Sequence, residues 1–281
     1  MTTTTTPAAG HAAEHATEQV TGHATGLTTG RAAATLSRDE VRQFHELGFL
    51  GPYTAMPVDR MTGLRRRIED EVLPTPGRNP KNPLQARHLD HRFLHDVIAA
   101  PEIVGRLRGL IGADIVVWAS YFFTKDPGGK EIPWHQDANF WPIEPPLNIS
   151  IWMAVDEVTT ENSCVQIIPG SHRTVVRHLP AREGMAFGQE ADPAAVDTSA
   201  AVDMVLRPGE FFIFNERLLH HSHKNTSDRR RMGLSARYTV PFVALLDQDA
   251  PPLFPGHACV VVSGEDTFGL NRTVDPPPPT R

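Results

Sequence analysis

The spacing of hydrophobic residues divides the chain into a helical first part and a β-rich second part. Between residues 58 and 72, large hydrophobic side chains recur at three- and four-residue intervals, as they do along one face of a helix. From residue 115 onwards they form short runs separated by proline and glycine, which is typical of strands and turns. Helices followed by antiparallel strands predict a mostly β domain with flanking helices.

Local signals place two further helices in the first part. Ser37 followed by Glu40 forms a capping box, so a helix is predicted to begin there and to end at Gly48. Another helix is predicted over residues 101–111.

The second part is predicted to form a double-stranded β-helix, a cupin-like jelly roll whose open mouth can hold a metal. The predicted strands cover residues 115–124, 147–155, 164–168, 211–215, 232–240 and 258–263. Because side chains alternate along a strand, Trp152 is predicted to line the barrel interior. By the same parity Arg231, Ser235 and Arg237 share one face, and Arg231 is predicted to point inward.

Length and composition predict one folded domain over residues 36–275 of the 281. Residues 1–35 are rich in Thr, Ala, Gly and His and are predicted to be a disordered tail, in which His11, His15 and His23 are solvated. Residues 276–281 are predicted to be a proline-rich, extended end.

Charge and cysteine content limit the partners. A net charge of −6 gives no support to nucleic-acid binding. Cys164 and Cys259 are predicted to be buried thiols, since two distant cysteines indicate neither a disulfide framework nor a zinc site. The sequence has no apolar run of about 18 residues, the length that predicts a membrane helix, and no recognisable secretory signal. The expected location is therefore the cytosol. The sequence does not predict an oligomeric state.

His135, Asp137 and His220 are the candidate metal ligands. His135 and Asp137 are two residues apart, so on an extended segment both side chains project to one face. His220 must then arrive from a different strand. Two imidazoles and one carboxylate form the face that holds non-haem Fe(II) and leaves positions open for a co-substrate and O2.

Arg231 is the candidate clamp for a carboxylate co-substrate. It follows His220 by 11 positions, which lets one strand supply the ligand and the next strand supply the guanidinium. Arginine suits this role because its planar fork pairs with a carboxylate through two hydrogen bonds.

Several blocks of sequence together resemble the phytanoyl-CoA dioxygenase family of Fe(II)/2-oxoglutarate oxygenases. They occur in the family's order between about residues 40 and 243, and they are Pro133–Trp141, Trp152–Asp156, Ile168–Arg173, Pro208–Phe212, Leu219–Arg231 and Arg237–Tyr238.

The resemblance implies a role for each matching residue. His135, Asp137 and His220 would bind iron, and His220 is preferred to His221 because the family's ligand precedes a serine by two positions. Arg231 would hold the distal carboxylate of 2-oxoglutarate, with Ser222 and Trp152 near the co-substrate.

The same resemblance implies the reaction and the roles of the remaining histidines. The expected reaction is hydroxylation of an unactivated C–H bond, and a carboxylate at 137 favours it, because related halogenases have a small residue there. His172 would be structural, and His223 would sit at the rim or pack structurally.

Two segments depart from the family's pattern. Ser163 stands where the family commonly has glycine, which leaves the local turn uncertain. Residues 182–201 have little periodicity and are predicted to be an inserted loop that covers the pocket. Substrate choice is predicted to reside there and in residues 139–147.

Several alternatives remain open on the sequence alone. The same iron chemistry can end in desaturation, cyclisation or epoxidation, and a cupin-like binding protein without turnover keeps the same fold. A zinc hydrolase is less favoured, since no general base is evident nearby. The substrate is expected to be a free small molecule, such as a biosynthetic intermediate in bacterial specialised metabolism.

Overall fold

The first part of the chain supplies four α-helices, as seen in a computed structural model that describes residues 34–247 and 253–279. The helices are α1 (Arg38–Leu47), α2 (Val58–Arg67), α3 (Arg92–Ile98) and α4 (Pro101–Ile111). The predicted tail lies outside the described residues except for positions 34 and 35, and so do its three histidines. The division of the chain into tail, domain and proline-rich end stays a prediction.

The helix signals of the sequence are confirmed. The Ser37 hydroxyl accepts a hydrogen bond from the Glu40 backbone N–H, and Glu40 Oε2 accepts one from the Ser37 N–H. Gly48 ends α1 with φ +80°, a left-handed conformation that glycine adopts without strain. Helix α2 continues as a π-helical turn over Ile68–Val72, so the predicted helix reaches its expected end with a wider last turn.

The strands form two main sheets. Among the described residues the strands are β1 (Phe49–Thr54), β2 (Ile115–Lys125), β3 (Ile132–His135), β4 (Ile143–Glu144), β5 (Ile149–Ala154), β6 (Val165–Ile167), β7 (His178–Pro180), β8 (Gln189–Ala191), β9 (Val202–Met204), β10 (Glu210–Asn215), β11 (His220–Ser222), β12 (Arg231–Thr239), β13 (Ala244–Leu245) and β14 (Val260–Ser263). The six strands predicted from sequence are all present, and the additional ones are mostly short.

The sheet order makes the second part a jelly roll. The larger sheet runs β1-β10-β5-β12-β2-β14 and the smaller runs β3-β11-β6-β9, and the pairs within them are antiparallel. Trp152 and Phe212 from the larger sheet pack with Ile167 from the smaller one in a core between the two sheets. The opposite face of the larger sheet, including Ile151, packs under the helices. The predicted mostly β, cupin-like fold is therefore confirmed.

Membrane helices are not found in the described part of the chain. None of its helices combines the length and the apolar character that a bilayer crossing requires.

Candidate active site

The structure brings His135, Asp137 and His220 together. The imidazole Nε2 atoms of His135 and His220 lie 3.7 and 3.9 Å from Asp137 Oδ1, and the two rings are 4.1 Å apart. The three donor atoms lie within 4.8 Å of one another. Metal–ligand bonds of roughly 2.0–2.2 Å can bridge such separations. We call these three residues the metal face.

Strand pairing explains how a ligand 85 positions away in sequence arrives at this point. His135 is the last residue of β3, and His220, the first of β11, is its direct antiparallel partner. Gln136 keeps an extended backbone, so Asp137 projects on the same side as His135 although it already begins a 3₁₀ turn, Asp137–Phe140.

Backbone carbonyls fix the orientation of both imidazoles. His135 Nδ1 lies 2.8 Å from the Pro133 carbonyl oxygen, and His220 Nδ1 lies 2.8 Å from that of Leu218. A carbonyl oxygen can only accept, so each Nδ1 carries a proton and each ring directs its Nε2 towards Asp137. This is the tautomer that binds a metal through Nε2.

Gln136 fixes the backbone between the ligands His135 and Asp137. Its side chain is buried and donates to the carbonyl oxygens of Thr174 and Arg217 at 2.7 and 2.6 Å. Its side-chain oxygen Oε1 accepts from the Val176 N–H at 2.9 Å. Three hydrogen bonds thus hold the turn that lies between His135 and Asp137.

The protonation states favour a cation at the metal face. Burial alone would raise the pKa of Asp137, but Arg237 and the two imidazoles outweigh it and lower the pKa to about 2. Burial, followed by the charge of His135, lowers the pKa of His220 to about 4. At neutral pH Asp137 is therefore an ionised carboxylate and His220 an uncharged imidazole, which are the forms that ligate a metal.

Arg231, Ser222 and Trp152 lie together in the same cavity, and we call them the arginine cradle. Arg231 is 1% exposed, its Nη2 lies 3.4 Å from Ser222 Oγ, and its Cζ lies 5.2 Å from the centre of the Trp152 ring. Gly233 makes room for this stacking, since a Cβ there would lie 2.0 Å from the indole. Among the described residues, Arg231 Nε has no hydrogen-bond partner. A buried guanidinium with free donors suits an anion.

The three consecutive arginines 229–231 have different environments. Arg229 is exposed and pairs with Glu157 at 2.8 Å, and Arg230 pairs with Asp156 at 2.9 Å. Arg231 alone of the three lines the cavity. The inward direction predicted from strand parity is therefore confirmed.

The structure adds three residues to the site that the sequence did not single out. Arg237 lies on the face of β12 that also carries Arg231, its Nη2 is 3.7 Å from Asp137 Oδ2, and its Cζ stacks over Tyr121. Parity already placed Arg237 with Arg231, so the signal existed. Phe187 and Lys125 had no comparable signal, because a lone Phe in an irregular loop and a lysine at a strand end are ordinary surface features.

Phe187 connects the segment 182–201 to the cavity. Its ring lies 4.9 Å from that of His135 and lines the cavity beside the metal face. The segment is held near β3 by a hydrogen bond of 2.8 Å from the Ala186 N–H to the Glu131 carbonyl oxygen. The segment also contains β8, which pairs with β7, so Phe187 lies in the connection of a hairpin over residues 178–191. That the segment is an inserted loop stays a prediction.

The other histidines lie outside the metal face. His221 stacks on Trp134 at 4.1 Å and hydrogen-bonds to Gln166, and His223 is exposed beside it. His172 Nε2 lies 3.2 Å from the His45 carbonyl oxygen at the end of α1. These contacts agree with packing roles for the three residues.

The fold and the metal face define a class: jelly-roll proteins whose cavity carries two imidazoles and one carboxylate. Within it, the chain belongs to the phytanoyl-CoA dioxygenase (PhyH) family, whose profile matches residues 44–233. The resemblance stated from the sequence is thereby confirmed.

Individual relatives show how far the similarity extends. The dioxygenase lolE1 of Epichloe uncinata is 32% identical over 188 residues, 67% of this chain and 64% of that protein. The peroxisomal phytanoyl-CoA dioxygenase of Rattus norvegicus is 30% identical over 152 residues, 50% of this chain and 44% of that protein. This chain thus spans less than two thirds of the length of either relative. The solved structure of CytC3 with Fe(II) and alpha-ketoglutarate is 30% identical with a TM-score of 0.66, covering 86% of this chain and 94% of that one.

Proposed function

We propose that this protein is a non-haem Fe(II)/2-oxoglutarate-dependent dioxygenase that hydroxylates an unactivated C–H bond of a small molecule. The observation that carries the proposal is one cavity with two complementary parts, the metal face and the arginine cradle. Membership of the PhyH family and the similarity to CytC3, whose structure contains Fe(II) and alpha-ketoglutarate, support the same chemistry.

Each residue has a definite task in this reaction. His135, Asp137 and His220 hold Fe(II), Arg231 and Ser222 hold the distal carboxylate of 2-oxoglutarate, and Trp152 supports the guanidinium. When bound, Fe(II) and 2-oxoglutarate let O2 oxidise a C–H bond to an alcohol, with conversion of 2-oxoglutarate to succinate and CO2. The protein supplies orientation and a dry cavity for this chemistry.

Arg237 and the aromatic lining complete the environment. Arg237 faces the Asp137 oxygen that lies away from the imidazoles, and so holds the carboxylate ionised and oriented. Phe123, Phe187 and Phe214 line the cavity and exclude water from the reacting atoms.

The presence of Asp137 supports hydroxylation as the outcome of the reaction. A carboxylate at this position occupies the place that a halogenase leaves to its halide, so hydroxylation is favoured over halogenation. We infer that the substrate is a biosynthetic intermediate of bacterial specialised metabolism and that the enzyme works in the cytosol. Two free, buried cysteines suit a reducing compartment.

Binding and turnover test the proposal together. We expect calorimetry without oxygen to show one Fe(II) per chain and 2-oxoglutarate binding that depends on iron. With oxygen, succinate should form, and its rate should rise when the correct substrate is present in a panel of small metabolites. Iron binding without any succinate formation would favour a cupin-like binding protein instead.

A further inference from the structure

A second buried cation lies behind the arginine cradle. Lys125 is the last residue of β2, and antiparallel pairing places it directly opposite Arg231 on β12. It is 5% exposed. Its Nζ donates to Ser222 Oγ at 2.7 Å, Ser163 Oγ at 2.9 Å and the His223 carbonyl oxygen at 2.6 Å. The three N–H donors of the ammonium are thus all hydrogen-bonded. Because the three acceptors are uncharged, they do not neutralise its positive charge.

No carboxylate of the described residues forms an ion pair with either cation, and Glu131 and Asp156 act on Lys125 and Arg231 only from a greater distance. Desolvation, and then the charge of Arg231, lowers the pKa of Lys125 to about 7, and desolvation lowers the pKa of Arg231 to about 10. Burying such charges costs free energy unless an opposite charge joins them. A carboxylate in the cavity would supply that charge.

The Ser222 hydroxyl connects both cations to the cavity. Its oxygen lies 2.7 Å from Lys125 Nζ and 3.4 Å from Arg231 Nη2, and both nitrogens can only donate. A hydroxyl has two lone pairs and one proton. With its lone pairs facing the two cations, Ser222 has its proton left to donate, and Ser222 lines the cavity.

The conformation of Ser163 indicates that its hydroxyl fixes the position of the Lys125 ammonium. It takes φ +78° in the turn where the family commonly has glycine, a left-handed conformation that costs a serine free energy. Its hydroxyl accepts from Lys125 Nζ and donates to the His223 carbonyl oxygen. The strained residue therefore holds the lysine in place, which a glycine could not do.

We propose that Lys125 is a positioning residue for 2-oxoglutarate, which orients the Ser222 hydroxyl and adds a second positive charge behind the distal carboxylate. The inference rests on the proposed function, because it takes Arg231 as the carboxylate anchor. The Lys125 ammonium makes the cradle selective for a 2-oxo acid that has a distal carboxylate over one that lacks this group.

The test compares two ligands that differ in one group. 2-Oxoglutarate and 2-oxopentanoate have the same five carbons, but 2-oxopentanoate lacks the distal carboxylate. Their affinities are measured by calorimetry on the Fe(II)-loaded protein without oxygen. Lys125→Met should weaken 2-oxoglutarate binding by about tenfold or more and leave 2-oxopentanoate within about twofold. Lys130→Met, which removes an exposed lysine five positions on, is the matched control and should change neither affinity.

Each result decides the matter. Equal losses for both ligands would mean that Lys125 only supports the structure, and an unchanged affinity for 2-oxoglutarate would also overturn the proposal. Wild-type protein that does not bind 2-oxoglutarate would contradict the proposed function itself. If Lys125→Met does not fold, Lys125→Gln is compared in the same way. In a Ser222→Ala background, the Lys125 substitution should have a smaller effect, because it acts through that hydroxyl.

Discussion

The metal face and the arginine cradle line one cavity, yet the charges that the chain places at them are opposite. Asp137 lies at the metal face, and Glu216 is buried behind it, with its carbonyl oxygen accepting from the Ala138 N–H at 2.9 Å. Arg231 and Lys125 lie at the cradle. Asp137 is paired with Arg237 at 3.7 Å, whereas no carboxylate of the described residues forms an ion pair with Arg231 or Lys125. The cradle therefore carries an excess of positive charge in the protein alone, which costs stability. The difference teaches that the metal face already balances its carboxylate, whereas the cradle receives its counter-charge only when a carboxylate ligand binds.

The largest expected effect comes from removing the carboxylate of the metal face. Asp137→Ala should lower iron-dependent succinate formation by about a thousandfold, because it deletes a ligand and leaves Arg237 beside the site without its partner. Bound iron after anaerobic desalting and succinate release are the measurements. Asp126→Ala, at an exposed aspartate, is the control. Undiminished turnover in Asp137→Ala would remove the metal face from the mechanism.

A local sequence pattern accounts for two of the three residues of the metal face, but not for the position of the third. The spacing of His135 and Asp137 is local, so the two-residue period of extended backbone sufficed to place them together. His220 begins a strand of three residues, too short to show alternation, and its pairing with His135 joins segments far apart in the chain. The chain alone offered His220 as a candidate ligand, and the resemblance to the family was needed to prefer it to His221.

The arginine cradle was even harder to predict from the sequence, because its residues are far apart in the chain. Arg231 was predictable because β12 is nine residues long and its parity is clear. Lys125 was not, since its environment consists of Ser163, Ser222 and His223, which come from separate turns and strands. A buried lysine that binds uncharged oxygens leaves no pattern in the sequence.

The pH dependence of stability tests the buried carboxyl of Glu216, which lies behind the metal face. Burial raises the pKa of its carboxyl to about 7, so the folded state holds the proton more tightly than the unfolded state does. This contribution to stability is fully present below the ordinary value of 4.5 and is lost as the pH rises through about 7. Glu216→Gln should therefore gain roughly 3 kcal/mol relative to wild type at pH 9, and nearly nothing at pH 4.

Urea unfolding of the metal-free protein at both pH values measures this difference. Glu157→Gln is the control, since Glu157 is an exposed carboxylate paired with Arg229. A Glu216→Gln variant that is equally displaced from wild type at both pH values would show that the buried carboxyl does not titrate in this range.

Arg231→Met tests whether the two parts of the cavity are separable. It should weaken 2-oxoglutarate binding by roughly 30- to 150-fold, since hydrogen bonds to a charged group contribute about 2–3 kcal/mol. Affinity for iron alone should hardly change, because Arg231 contacts Ser222 and Trp152 and not the metal face. Calorimetry measures both affinities. Arg229→Met is the matched control from the same arginine run, and equal effects of the two variants would assign the loss to general charge and not to the cradle.

The smallest effect is expected from the hairpin tip that lies over the metal face and not over the cradle. Phe187 packs edge-on against the His135 ring, with centres 4.9 Å apart. Such aromatic pairs contribute about 0.5–1.5 kcal/mol, so Phe187→Ala should speed iron release about two- to tenfold and leave the affinity for 2-oxoglutarate nearly unchanged. Chelator competition followed by absorbance measures the release rate, with Phe242→Ala at an exposed phenylalanine as control. If Phe187→Ala instead weakened 2-oxoglutarate and left iron release alone, the hairpin would belong to the cradle, and the division of the cavity drawn above would be wrong.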